Sequence, residues 1–60
     1  MSTVYNPEAE TMARIEQLEL EARDLRRRIE HVRNEIDKRV LNRQLRELSE
    51  EITQLQERLP

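Results

Sequence analysis

Sixty residues, 40% of them charged, with one aromatic side chain and neither glycine nor cysteine, allow at most one small helical domain. A core of this size is marginal without a staple or a partner, and without thiols neither a disulfide nor a thiolate metal site can supply the staple. Eleven basic residues against thirteen acidic ones give a net charge of −2, so no global field draws nucleic acid or anionic lipid.

The longest uninterrupted apolar run is two residues, which excludes a membrane-spanning helix or a signal-peptide core from these sixty residues and makes a cytoplasmic protein the expectation. Residues 1–6 carry no helical signal and are expected to form a flexible N-terminal arm, leaving 7–60 as a single helical coiled-coil domain. Asn6-Pro7-Glu8 reads as a helix start: asparagine caps the free amides, proline's fixed φ suits the first helical position, and Glu8 and Glu10 complement the positive end of the helix dipole.

From there two apolar seams follow each other. The first is Ile15, Leu18, Ala22, Leu25, Ile29, Val32 and Ile36, spaced alternately by three and four; the second is Leu41, Leu45, Leu48, Ile52, Leu55 and Leu59. Such spacing is the signature of a coiled-coil seam. The first seam continued would reach Arg39, Arg43 and Arg46, so the second is displaced by two residues. At ~100° per residue that turns the stripe through about 200°.

Two architectures satisfy the slip. One continuous long coiled-coil helix would present its two stripes to different neighbours, with Ile36, Val40, Gln44, Leu48 and Ile52 carrying the stripe around its axis. An antiparallel coiled-coil helical hairpin instead folds the seams onto each other. Its helices would run over about 7–36 and about 41–59, its turn over about 37–40, and Asp37 would cap the second helix. The expected layers include Val32/Leu45, Leu25/Ile52, Ala22/Leu55 and Leu18/Leu59, and the flanking positions bring Arg28 to Glu51 and Glu21 to Arg58 as ion pairs. The flank charges favour the hairpin. A two-helix hairpin buries only a thin seam, so self-association into a helical bundle, or docking on a larger protein, is expected to complete the burial.

Catalytic chemistry finds no foothold. His31 is the single histidine and falls away from the seam, glycine-rich phosphate loops have no glycine, and the carboxylates sit on polar helix faces. The reading is therefore no enzyme, no cofactor, no metal and no small-molecule substrate. Two surfaces remain as candidate partner sites. Arg23, Arg26, Arg33, Arg39 and Arg46 gather along one edge of the hairpin, with planar donor forks suited to phosphate or carboxylate. Met12 and Leu20 lie on the first helix away from its seam, with Ala9, Ala13, Val4 and Tyr5 near them.

The leading expectation is a non-enzymatic helical protein–protein interaction module, a small adaptor, scaffold or inhibitor that forms a homodimer, docks on a larger protein, or both. In size and layout the hairpin also resembles the Rop family of plasmid RNA-binding proteins, which are dimers of helical hairpins, and that resemblance implies a nucleic-acid-binding regulator as the alternative. A structural coiled-coil element of a larger particle is the third reading.

Overall fold

A computed structural model describes residues 6–60. The chain forms two α-helices, α1 over Pro7–His31 and α2 over Glu35–Glu57, packed along their lengths as an antiparallel hairpin. The continuous helix is thereby excluded. Both helices begin on an asparagine. The Asn6 side chain accepts from the amides of Glu8 and Ala9 at 3.1 and 3.2 Å, and Pro7 takes the first helical position, where its missing N–H costs nothing. Asn34 accepts from the amides of Ile36 and Asp37 at 2.8 and 3.4 Å.

The turn therefore lies at Val32-Arg33-Asn34, not at 37–40, and α1 ends at His31 rather than at about 36. Val32 and Asn34 are both extended, with φ/ψ of −79/131° and −79/124°, and no residue has a positive φ among those described. A connection built from negative-φ residues needs no glycine. β-branched Val32 is at ease in extended backbone, and its amide still closes the last turn of α1 on the Arg28 carbonyl. Asp37 sits inside the first turn of α2, where with Glu35 it complements the dipole, and the cap belongs to Asn34. Asn34→Ala is expected to cost about 1 kcal/mol by thermal unfolding and Asp37→Ala only a few tenths; the opposite ranking would move the turn back to Asp37.

Burial follows the seams with three changes. Ile15, Leu18 and Ala22 are the buried core, Leu18 at 1% exposure. Leu25, Ile29, Val32, Leu41, Leu45, Leu48, Ile52, Leu55 and Leu59 are half-buried. Ile36, expected in the first seam, is 72% exposed, because it belongs to α2 and stands out of that helix's phase. The position that does continue the second seam backwards, three residues before Leu41, is Lys38, and it is half-buried. A lysine can lay its methylene stem on apolar surface and keep its ammonium in water. Thr11 likewise extends the first seam by four residues and is half-buried, its hydroxyl donating to the Pro7 carbonyl at 2.8 Å.

The earlier turn slides the helices relative to the expected layers. Leu25 lines a groove with Leu48, not Ile52; Val32 shares one with Leu41, not Leu45; Ala22 shares one with Ile52, not Leu55; and Leu59 lines a cleft with Thr11 instead of meeting Leu18. The slide is about one to two helical turns. It also changes the ion pairs: Glu51 meets Arg14 at 3.3 Å, while Arg28 turns to Asp24 of its own helix at 3.7 Å. All four side chains are about half exposed or more, so each pair contributes under about 1 kcal/mol.

Candidate interaction surfaces

The two helices form a slab with two broad faces, which differ sharply. On one face three grooves follow each other from the open end to the turn. Arg14, Glu21 and Arg28 line the successive grooves on the α1 side; spaced by sevens, they drift only ~20° per heptad and so mark a single face. The floor of these grooves is apolar: Leu55 and Leu59 at the open end, Leu25 and Leu48 in the middle, Val32 and Leu41 towards the turn. All six are seam residues that the hairpin leaves half-buried. Val40, 50% exposed, stands four residues before Gln44, which lines the middle groove, and Ile36 stands four before Val40. Val40 therefore stands about 40° around α2 from Gln44, whereas Ile36 stands about 80° from it and faces away from the seam. Val40 thus borders the turn end of this face, while Ile36, which the sequence assigns to the first seam, stands exposed on the back of α2.

The opposite face is polar. Arg23 and Arg26 line a groove there with Glu19, Ser49 and Thr53, floored only by Ala22 and Ile52. Arg46 lines an adjoining groove that shares Ser49 and Thr53. Arg39 lies seven residues before Arg46 on α2 and thus on the same side of that helix, and Arg33 sits in the connection. Three of the five expected arginines are thus brought around shared neighbours. All five are exposed, and none takes part in the two ion pairs found among the described residues.

Met12 and Leu20 are 52% and 62% exposed. Their eight-residue separation sets them about 12 Å apart along α1 and roughly 80° around it, so they straddle the back of the helix instead of forming one compact patch. Val4 and Tyr5, and all of the expected arm except Asn6, lie outside the described residues. His31 is exposed at the end of α1. Among the described residues no three His, Asp or Glu side chains are grouped to hold a metal ion, and no helix is long and apolar enough to cross a membrane. No protein-family model, curated protein or solved structure matches this chain.

Proposed function

We propose that this chain is a non-enzymatic helical interaction module that acts by offering the grooved face of its hairpin to another helical surface. One observation carries the reading: nine seam side chains stay half-buried after folding, and six of them floor the grooves of a single face. Apolar surface left in this state is stabilised by any partner that removes it from water, at about 25 cal/mol per Å². A small adaptor, scaffold or inhibitor would work in this way, and a structural role in a larger particle would use the same face.

The test substitutes Leu25→Glu and Leu48→Glu together. Both side chains are already partly in water, so the helices are expected to persist by circular dichroism while association, read by sedimentation, weakens at least about tenfold, the equivalent of ~1.4 kcal/mol. Met12→Glu and Leu20→Glu probe the back of α1 and are expected to leave association unchanged. If the second pair abolishes association and the first does not, the binding surface is the back of α1.

A second reading, nucleic-acid binding, draws on Arg23, Arg26 and Arg46 converging on the polar face. It requires an affinity for duplex RNA or DNA that falls steeply with salt and weakens on Arg26→Ala or Arg39→Ala. Among the described residues the polar face carries no aromatic side chain to stack a base, and the sole aromatic residue of the sequence, Tyr5, lies outside them.

A further inference from the structure

The floor of the grooved face repeats at the step of a coiled coil. Leu25 and Val32 stand seven residues apart on α1, and Leu41, Leu48 and Leu55 follow each other by sevens on α2. Seven helical residues cover about 10.5 Å, so an apolar stripe recurring at that step fits the trough between the two helices. An extended strand returns its side chains to one side every ~6.6 Å and falls out of step with the floor. The shape of this face suits a third helix.

Charge narrows the choice. Glu21 on α1 and Glu47 on α2 line the middle groove together with Leu25 and Leu48. Neither carboxylate takes part in the two ion pairs found among the described residues. The arginines nearby are committed, Arg28 to Asp24 at 3.7 Å and Arg14 to Glu51 at 3.3 Å. At the open end Arg58 shares its cleft with Glu8 and Glu10, and only the turn end gains a further positive charge, from Arg27. At mid-length the apolar trough is therefore edged by carboxylates. The opposite face has the reverse sign at the same level, through Arg23, Arg26 and Arg46.

We infer that the occupant of the grooved face is an amphipathic helix of another protein, its apolar stripe flanked by lysine or arginine. The inference rests on the interaction-module reading and names the chemistry of the partner. The stripe covers Leu25 and Leu48 while the flanking cations meet Glu21 and Glu47, which sets orientation and specificity more than raw affinity. A second copy of this chain, laid middle groove on middle groove, would set these carboxylates against their own kind. A nucleic-acid backbone is repelled by them as well and is drawn to the arginines of the other face.

Two synthetic helices of about three heptads test this, both with leucine along the stripe. One carries lysine at the flanking positions and the other glutamate. By titration calorimetry on the full chain at low salt, the lysine helix is expected to bind at least about tenfold more tightly, and added salt to narrow the gap. Glu21→Lys with Glu47→Lys, both at exposed sites, is expected to reverse the preference. Glu16→Lys with Glu50→Lys makes the same change in net charge at exposed sites away from these grooves and is expected to preserve it. Reversal by both pairs, or by neither, overturns the inference, because net charge or the apolar stripe alone would then select the partner. Equal or tighter binding of the glutamate helix overturns it too and leaves the interaction-module reading standing. Binding of neither helix also overturns it. If the chain then associates with itself through Leu25 and Leu48, the interaction-module reading survives; if it binds only duplex RNA, both fall.

Discussion

A Leu18→Ala chain is expected to lose about 2–4 kcal/mol of folding free energy, which for a hairpin of this size is most or all of its stability. Leu18 is the one large side chain fully removed from water, at 1% exposure, and its seam neighbours Ile15 and Ala22 are the only other buried apolar residues among those described. Truncation leaves a void beneath the single place where the two helices exclude solvent, and the small core around it has few other side chains with which to collapse. Ile36→Ala is the natural reference: it deletes a similar apolar volume from a side chain 72% exposed, and its cost should stay within about 0.5 kcal/mol. Thermal unfolding followed by circular dichroism, at one fixed chain concentration because association shifts the midpoint, compares the two. Equal costs would show that the core is not where burial places it.

Ala22→Leu should also destabilise, by about 1–3 kcal/mol. The heptad pattern by itself points the other way, since Ala22 is the one short side chain in a seam of isoleucine, leucine and valine, and leucine there would ordinarily add burial. In the folded hairpin Ala22 is 2% exposed and lines a groove with Ile52 and the stems of Arg23 and Arg26. Three further carbons at a position already closed to solvent must push α2 away, and the ion pair between Arg14 and Glu51 offers little to hold it. A higher unfolding temperature for Ala22→Leu would mean that the helices part at little cost.

Much of this architecture is legible in the sequence. The start of α1 is written in Asn6-Pro7-Glu8, and the two seams with their phase slip admit a chain that folds back, which the flank charges favour over one continuous helix. The position of the turn is harder to read, for a physical reason. Helix breaks are sought at glycine and proline, and this one uses neither, because three residues with ordinary negative φ and an asparagine cap reverse the chain. The signal was present in Asn34-Glu35-Ile36-Asp37, a capping residue followed by acidic side chains in the first turn. It was masked by Ile36, which falls in register with the first seam although it belongs to the second helix. Lys38 was masked in the opposite sense: charge hides a seam position that only burial reveals. The arginine edge is partly legible, since helical periodicity groups residues on one helix but the relation between helices depends on the turn. The grooved face was beyond reach, because which seam residues stay wet depends on the slide set by that turn.

The short link also governs how fast the molecule can form. With three residues between the helix ends, closing the loop fixes little chain entropy, and contacts nearest the turn join residues close in sequence. Low contact order of this kind belongs to chains that fold in microseconds to milliseconds. The same geometry makes the open end the last part to zip and the first to fray. Pro7, Thr11, Leu55 and Leu59, which line the cleft there, are then the contacts with the shortest lifetimes, so a partner seated at that end would act as a clasp on the hairpin's unfolding rate.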